Sequence, residues 1–381
     1  MNAQLELGRA HSRAEDARQA AREFHAALAQ PDMGLVIFFC SSRYDLDELA
    51  AEMAQLFGDI PLVGCTTAGE IGPAGYSEHS LSGVCFPAGL CSAVIGRVDD
   101  LQRFAMADGQ AFVQEQLQRL EAKAPQTAQN NSFAFLMIDG LSVREEPVVH
   151  ALQNALGRIP LVGGSAGDDL RFGETLVYHD GRFHSGSAAM VLATTPLPFQ
   201  TFKTQHFVPG EERLVVTEAN PAERIVYEID GYPATDEYAR LVNVPADDLA
   251  PDRFAASPVV VLIDGTDYVR SIQKANPDKS LTFYCAIEEG LVLRVARGVD
   301  LVDNLQRRLQ SITDKLGPPQ LVLACDCVLR RLEIRQRGLE EEIGRLLNEH
   351  RVVGFNTYGE QFGGVHVNQT LVGIAFGQVA E

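Results

Sequence analysis

Three short stretches of this sequence place small polar residues directly after a valine-glycine pair. They read Cys65-Thr-Thr-Ala-Gly-Glu70, Gly164-Ser-Ala-Gly-Asp168 and Phe355-Asn-Thr-Tyr-Gly-Glu360. Hydroxyl groups such as those of Thr67 and Thr357 offer neutral hydrogen-bond donors and acceptors to a small ligand. The glycines also permit tight strand-to-loop turns, which is a purely structural role. The stretches therefore predict structural turns that also line a binding pocket.

Catalytic chemistry has less support in the same stretches. Cys65 stands where a nucleophile would, but the aligned positions in the other two stretches are Gly164 and Phe355. The lysine of a phosphate-binding loop is absent from all three. Cys325 and Cys327 are separated by one residue, whereas a thiol metal site of the zinc-knuckle kind needs two. The sequence predicts buried thiols and no enzymatic role.

An internal repeat supplies the elements that position these stretches. Residues 58–64 and 157–163 read the same except at their second position, and 351–354 is a weaker copy. Upstream of each copy lies an apolar run with the length of a buried strand, followed by a helix with one apolar face. A helix between two strands implies a parallel crossover, which places the polar stretches at the strand carboxyl ends, where α/β sheets bind ligands. We predict an α/β fold of repeated β-α-β-loop-β units, with mixed sheets packed against helices.

An insertion of about 100 residues (209–319) separates the second and third units. Asn220 as a cap and Pro221 at the first helical position predict a helix that ends before Gly231. A further helix is predicted over residues 300–316. The expected organisation is an N-terminal helical segment (1–29), a first domain with two units (30–209) and a second domain with the insertion and third unit (210–381).

Composition excludes several classes of protein. The 381 residues carry a formal net charge of −19, which repels nucleic-acid phosphates and anionic lipid headgroups. No run of about 18 apolar residues predicts a membrane span, and the N-terminus lacks the pattern of an export signal. Seven cysteines without a repeating spacing indicate reduced thiols. We expect a cytoplasmic protein with no nucleic-acid or membrane partner.

Several motifs in the same order resemble the FIST domains, which are paired N- and C-terminal modules of signal-transduction proteins. The resemblance covers about residues 30–381 and rests on five segments: 61–70, 160–168, Ile229-Asp-Gly-Tyr-Pro-Ala234, 353–360 and Asn368-Gln-Thr370. It implies a FIST N-terminal and a FIST C-terminal domain. It also implies a sensory module that binds a small ligand and is not a catalyst.

A narrower resemblance is to the stand-alone FIST proteins that sense nitric oxide. That resemblance implies haem b as cofactor, nitric oxide as signal, and a partner histidine kinase in a biofilm or cyclic-di-GMP pathway. The alternative is a haem-free FIST module that binds a small metabolite, such as an amino acid. The sequence leaves open whether the protein forms a homodimer.

If the implied haem is bound, His366 is the residue we expect to hold the iron, because histidine is a common axial ligand. Strand alternation places His366, Asn368 and Thr370 on one face. Arg270 is suited to pair with a haem propionate or an amino-acid carboxylate, although a surface salt bridge is the alternative. A hydrogen-bonded structural role is the alternative for His366. The expected cofactor-binding residues are His366, Arg270, Tyr358, Asn368, Thr357 and Thr67, with His366 as the metal ligand.

Overall fold

A computed structural model of the chain describes residues 6–125, 131–263 and 265–378. Within these ranges, three units repeat one order of elements: strand, helix, strand, one or two helices, strand, two-stranded hairpin and closing strand. The first unit contains β1 (Gly8–Ser12), α1 (Ala17–Leu28), β2 (Met33–Ser41), α2 (Leu46–Phe57), β3 (Leu62–Thr67), β4 (Glu70–Gly72), β5 (Gly75–Ser77) and β6 (Leu81–Pro87). The predicted α/β fold of repeated units is confirmed.

The second and third units follow the same order. The second contains β7 (Ser92–Val98), α3 (Met106–Lys123), β8 (Ser132–Ile138), α4 (Glu145–Leu156), β9 (Leu161–Ser165), β10 (Val177–His179), β11 (Arg182–His184) and β12 (Ala188–Thr194). The third contains β13 (Phe199–Thr204), α7 (Leu301–Leu316), β22 (Leu321–Cys327), α8 (Val328–Gln336), α9 (Glu340–Glu349), β23 (Val352–Thr357), β24 (Glu360–Phe362), β25 (Val365–Val367) and β26 (Leu371–Phe376). The insertion lies between β13 and α7.

Helix α2 shows why these residues form these elements. Asp45 caps its start by accepting a hydrogen bond from the N–H of Glu48 at 3.0 Å. Leu49, Met53 and Phe57 recur on one face and are buried. The helix stops at Gly58, whose φ of 54° suits a residue without a Cβ. The chain therefore leaves α2 at Gly58 and continues into β3, which leads to the first polar stretch.

Each unit builds a six-stranded mixed sheet, and its hairpin lies in the sheet of another unit. Hairpin β4–β5 of the first unit extends the sheet of the third through β23. Hairpin β24–β25 of the third extends the second through β9, and β10–β11 of the second extends the first through β3. The central pairs β2–β3, β8–β9 and β22–β23 are parallel, which confirms the predicted crossovers. Each sheet therefore combines strands of two units, and the three sheets together are complete only when all three units are folded.

The inner faces of the three sheets share one apolar core. The ring of Phe39 stacks on Phe355 with centroids 4.6 Å apart and meets Phe135 edge-on at 6.3 Å. These residues come from the first, third and second sheets. Helices α1 and α2, α3 and α4, and α7 and α9 cover the three outer faces. Cys325 and Cys327 are buried free thiols of β22, as predicted.

The insertion forms a separate sheet with its own core. Its elements are β14 (Phe207–Asn220), β15 (Ile225–Ile229), β16 (Tyr232–Pro233), α5 (Ala234–Val242), α6 (Pro251–Ala256), β17 (Val259–Ile263), β18 (Thr266–Arg270), β19 (Ile272–Ala275), β20 (Leu281–Phe283) and β21 (Val292–Gly298). Among the described residues, no helix combines the length and the hydropathy that crossing a bilayer requires.

Three element assignments differ from the sequence-based expectation. The helix expected after Asn220 is wrong: residues 225–229 form β15, because this β-branched run pairs with both β14 and β20. The helix expected at 300–316 is α7, which packs on the third unit rather than within the insertion. Residues 8–12 form β1 and pair with β6, so the segment before residue 30 is part of the first unit.

Candidate functional site

The three polar stretches meet one another, as their place at strand carboxyl ends predicts. We term them loop 1 (65–70), loop 2 (164–168) and loop 3 (355–360). The N–H of Gly167 donates to the carbonyl of Thr66 at 3.0 Å, which joins loops 1 and 2. The N–H of Ser165 donates to the carbonyl of Gly359 at 2.8 Å, which joins loops 2 and 3. Loops 1 and 3 share two backbone hydrogen bonds of 2.7 and 3.0 Å, so the loops close into a ring.

Loops 1 and 3 each end in a buried carboxyl group that binds the hydroxyls of its own loop. Oε1 of Glu70 shares a hydrogen bond of 2.5 Å with Oγ1 of Thr67, and Oε2 accepts from Oγ of Ser80 at 2.6 Å. Glu360 accepts from the hydroxyl of Thr357. Burial raises the pKa of Glu70 and of Glu360 to about 8, although these hydrogen bonds oppose the rise. The predicted site residues Thr67 and Thr357 are thus engaged with glutamic acids that hold a proton at neutral pH.

Tyr358, the third predicted residue of the loops, binds the carboxylate that ends loop 2. Its hydroxyl donates to Asp168, which also accepts from the N–H groups of Phe172 and Gly173 at 2.9 and 2.6 Å. The ring of Phe172 stacks on Tyr358 with centroids 4.9 Å apart. Burial raises the pKa of Tyr358, and Asp168 adds to the rise. Tyr358 therefore acts as a protonated donor to Asp168.

The other three predicted residues lie together where the insertion meets the third unit. Arg270 ends β18, His366 lies in β25, and Asn368 directly follows β25. Nη1 of Arg270 donates to the carbonyl of His366 at 3.2 Å, and the N–H of Ser271 donates to Oδ1 of Asn368 at 3.4 Å. His366 is 1% exposed and Asn368 is fully buried. We term Arg270, Ser271, His366 and Asn368 the junction site.

Gln361 determines which nitrogen of His366 holds the proton. Nε2 of Gln361 donates to Oγ of Ser165 at 3.0 Å, which leaves Oε1 of Gln361 to accept from Nδ1 of His366, also at 3.0 Å. Nε2 of His366 then holds the lone pair. Burial lowers the pKa of His366 to about 4, so the ring is neutral at pH 7. The junction site thus contains a buried nitrogen that accepts hydrogen bonds.

One polar atom on each residue of the junction site has no hydrogen-bond partner among the described residues. They are Nε of Arg270, Oγ of Ser271, Nε2 of His366 and Nδ2 of Asn368. Two of them border Gly359: a Cβ built there would stand 2.6 Å from Nε2 of His366 and 3.1 Å from Nδ2 of Asn368. Buried polar atoms in folded proteins are nearly always hydrogen-bonded, so such a group requires an explanation. Unpartnered donors and an acceptor on these four neighbouring residues suit a bound polar molecule.

Ion pairs beside the junction site attach the insertion to the second unit. Nη2 of Arg224 lies 2.6 Å from Glu145 and 2.5 Å from Glu146, at the start of α4. Negative charge is favourable at a helix N-terminus. Glu146 also accepts from the N–H of Ala286 at 2.5 Å. The charge of Glu146 favours the protonated form of His366, but burial outweighs it and Arg224 opposes it.

The junction site offers haem a suitable donor atom without a suitable enclosure. A metal-bound histidine usually donates its other ring N–H to an oxygen, as His366 does to Gln361. However, the backbone of Gly359 packs against the ring edge that contains Nε2. The neighbouring side chains of Arg270 and Asn368 are polar, whereas a haem macrocycle is largely apolar. Packing the macrocycle against these side chains would bury them without hydrogen-bond partners, which is unfavourable. Haem binding at His366 would therefore require the backbone at Gly359 to move away from the ring.

Cys65 does not have the surroundings of a nucleophilic cysteine, and clusters of metal-ligating side chains are absent from the described ranges. Cys65 is fully buried, and burial raises its pKa. The thiol therefore stays protonated, whereas a nucleophilic cysteine acts as the thiolate. Within the same ranges, no group of three or more histidine, cysteine or acidic side chains is arranged so that it could hold a metal ion.

Sequence reasoning missed Ser271, Gln361, Glu146 and Arg224. Gln361 follows loop 3 directly and faces His366 across the β24–β25 hairpin, so the hairpin spacing is a signal that identifies it. Arg224 and Glu146 are 78 positions apart in the chain and meet only because the insertion packs on α4. No local pattern marks that pair.

Comparison with solved structures gives weak likenesses. A cyanuric acid hydrolase from A. caulinodans is 13% identical, covers 53% of this chain and 72% of its own, and has a TM-score of 0.30. A second cyanuric acid hydrolase is 8% identical, with the same coverages and a TM-score of 0.31. Similarity at this level has no bearing on the site. No curated protein matches the chain.

Comparison with family models gives matches along most of the chain. Residues 34–232 match the FIST N domain, and residues 234–363 match the FIST C domain. Loops 1 and 2 lie in the first match, and Arg270 and loop 3 lie in the second. The chain therefore belongs to the FIST family of sensory signal-transduction proteins, with a FIST N domain followed by a FIST C domain.

Proposed function

We propose that this sensory protein binds a small polar molecule at the junction site. The observation that supports the proposal is a set of four buried polar atoms, on Arg270, Ser271, His366 and Asn368, that have no hydrogen-bond partner among the described residues. Leaving one such atom unsatisfied costs about 1–3 kcal/mol. Four such atoms on neighbouring residues support a site whose hydrogen bonds are completed by a ligand. No residue is assigned a catalytic role.

The identity of the four atoms indicates the chemistry of the ligand. Nε of Arg270 and Nδ2 of Asn368 are donors, and a carboxylate supplies the acceptor oxygens that match a guanidinium. Nε2 of His366 accepts in its neutral form and needs a donor, such as an ammonium group. The hydroxyl of Ser271 can be either a donor or an acceptor. A small zwitterion such as an amino acid combines these groups, so we propose this class of ligand.

A ligand at the junction site would contact two parts of the chain at once. Arg270 and Ser271 belong to the insertion, whereas His366 and Asn368 belong to the third unit. A molecule that binds all four favours one placement of the insertion relative to the units and shifts the population toward it. The Arg224 ion pairs transmit that placement to α4. We propose a histidine kinase as the partner that responds.

Thermal unfolding of the purified chain with each of the common amino acids tests the proposal. At least one should raise the Tm in a saturable manner, because a ligand that binds only the folded state stabilises it. The Asn368→Ala variant should show no such rise in Tm with that amino acid. Asn356→Ala is the matched control, since Asn356 is equally buried but bonds to Asp326 instead. No rise with any amino acid, or a rise that Asn368→Ala retains, contradicts the proposal.

Haem b as a nitric oxide receptor is the second candidate, and the lone pair on Nε2 of His366 favours it. It requires the backbone at Gly359 to move away from the ring. When bound, haem would supply the iron that captures the gas. An absorption spectrum after haem reconstitution tests this candidate: a Soret band that His366→Ala alters supports it. No Soret band, or one that His366→Ala leaves unchanged, eliminates His366 as the ligand.

A further inference from the structure

The residues of the junction site are all closed to solvent. Arg270 is 7% exposed, His366 is 1% exposed, and Ser271 and Asn368 are fully buried. A molecule that binds there, as the proposed function requires, can enter only if part of the chain moves aside. The segments that enclose the site therefore determine how a ligand reaches it.

One exposed aromatic ring packs against that enclosure. Residues 169–174, which we term the strap, lie between β9 and β10 outside any helix or strand. Phe172 of the strap is 39% exposed. Its ring stacks on Tyr358 with centroids 4.9 Å apart and is tilted against Tyr284 at 6.2 Å. The strap thus contacts loop 3 and the insertion at once.

The two tyrosines that Phe172 contacts are directly connected to the junction site. Tyr358 precedes Gly359, whose backbone packs against the ring edge of His366 that contains Nε2. The N–H of Tyr284 donates to the carbonyl of Ser271 at 2.9 Å. If Phe172 leaves both tyrosines, the segments next to His366 and Ser271 therefore lose packing that holds them in place.

The backbone of the strap is strained. Asp169, Leu170 and Phe172 have φ angles of 58°, 63° and 52°, in the left-handed region that bulky side chains rarely adopt. No other four consecutive residues in the described part of the chain include three such non-glycine residues. Residues in sparsely populated regions cost free energy, and they cluster at ligand clamps and switch regions. The strain makes the closed conformation of the strap easier to leave.

The carboxylate of Asp168 offsets that strain in the closed strap. It accepts from the N–H groups of Phe172, Gly173 and Glu174 at 2.9, 2.6 and 3.1 Å, and from the hydroxyl of Tyr358. These hydrogen bonds stabilise the closed strap, whereas the strained residues favour its release. When two conformations differ little in free energy, a ligand that binds one of them better shifts the population toward it.

We propose that the strap is the gate of the junction site. It opens when Phe172 leaves Tyr358 and Tyr284, which allows Gly359 to move away from His366 and admits the ligand. It closes again over the bound molecule, as loops that sequester a ligand commonly do. The strap belongs to the second unit, whereas the junction site is shared by the insertion and the third unit. A ligand that stabilises the closed strap therefore holds all three parts in one arrangement.

The rate at which diethyl pyrocarbonate modifies His366 tests the gate on the full chain without any ligand. The reagent acylates an unprotonated imidazole nitrogen, and burial lowers the pKa of His366 so that its ring is neutral at pH 7. Mass spectrometry of peptides separates this modification from that of the other histidines. It should be slow in the wild type and about tenfold or more faster in Phe172→Ala, because the closed strap loses its aromatic stack and local opening becomes more frequent.

Three controls separate opening of the gate from opening of the whole fold. Phe172→Tyr keeps the aromatic ring and should react at the wild-type rate. Met106→Ala removes another exposed apolar side chain, at the start of α3, and should also leave the rate unchanged. In every variant His206, which is equally buried at 1% but bonds to Glu333, should keep its wild-type rate.

A wild-type rate at His366 in Phe172→Ala overturns the gate. Equal acceleration at His206 overturns it too, because the whole fold is then opening, and so does equal acceleration in Met106→Ala or Phe172→Tyr. Acceleration confined to His366 in Phe172→Ala supports the gate, whether or not any amino acid raises the Tm. Failure of the gate and failure of the proposed ligand are therefore distinguishable.

Discussion

At the scale of single residues, Glu70 and Glu360 are notable because burial raises their pKa well above that of an ordinary glutamic acid. Both are fully buried acids, and Glu70 touches the hydroxyls of Thr67 and Ser80. Oγ1 of Thr67 also lies 3.3 Å from the carbonyl of Cys40, to which it can donate. A protonated Glu70 can therefore donate to Thr67, which donates onward to Cys40. The hydrogen-bond network accommodates the neutral acid without leaving a donor unpaired.

Glu70→Gln should reduce the pH dependence of stability. Burial raises the pKa of Glu70 from its ordinary value of 4.5 to about 8. A raised pKa in the folded state means that the stabilisation is complete below about pH 4.5 and is lost as pH rises through about 8. Glutamine keeps a donor and an acceptor but cannot ionise. Between about pH 6 and about pH 9, the free energy of unfolding should fall less in the variant than in the wild type, by on the order of 2 kcal/mol.

Urea unfolding at a series of pH values provides the measurement for Glu70→Gln. Glu115→Gln is the control, because Glu115 is an exposed glutamate of α3. The control should follow the wild-type pH dependence. If Glu70→Gln follows it too, then Glu70 is ionised in the folded state and the proposed network is wrong.

At the scale of elements, the cyclic exchange of hairpins decides how the chain folds. Strand β9 of the second unit finds its outer neighbour in β24 of the third, and hairpin β4–β5 of the first depends on β23. Strand β13 precedes residue 209 in sequence but pairs with β26 at the end of the chain. The two FIST domains are thus distinct in sequence while their sheets are interleaved.

Separate expression of residues 1–209 and 210–381 should give fragments that do not fold alone. Each would expose strand edges that are paired in the full chain, and such edges favour aggregation. Co-expression should give a complex with the cooperative melting of the intact chain. Circular dichroism against temperature is the measurement. A fragment 1–209 that melts cooperatively by itself near the Tm of the full chain contradicts the interdependence.

At the scale of the whole molecule, local patterns predicted the repeated units and the meeting of the loops. Those features depend on apolar periodicity and turn residues, which the sequence shows directly. The hairpin exchange could not be predicted, because β4 and β24 have three residues each and no periodicity. The prediction of a helix after Asn220 was wrong because asparagine and proline, which often start a helix, also fit the turn between strands β14 and β15.

The candidate site was predictable only in part for the same reason. His366, Asn368 and Arg270 were expected and do lie together, although Arg270 and His366 are 96 positions apart. Thr67, Thr357 and Tyr358 lie in the loops as expected, but their hydroxyls bind carboxyl groups of the loops. Thr67 and Thr357 bind glutamic acids three positions further along their own loops, and only the pairing of Tyr358 with Asp168 depends on packing between units.

The net charge of −19 bears on any anionic ligand. The overall field does not attract a carboxylate, so binding must rely on placed cations. Arg270 lies in the junction site, and Arg224 is beside it but already paired with Glu145 and Glu146. Arg270 is therefore the residue expected to hold the carboxylate.

A crystal structure of the full chain with the amino acid that raises its Tm tests ligand binding at the junction site most directly. The predicted result is a carboxylate within hydrogen-bond distance of Nε of Arg270 and Nδ2 of Asn368. A donor group of the same molecule should lie against Nε2 of His366. A ligand bound elsewhere, with these atoms satisfied by protein groups alone, would contradict the proposed site.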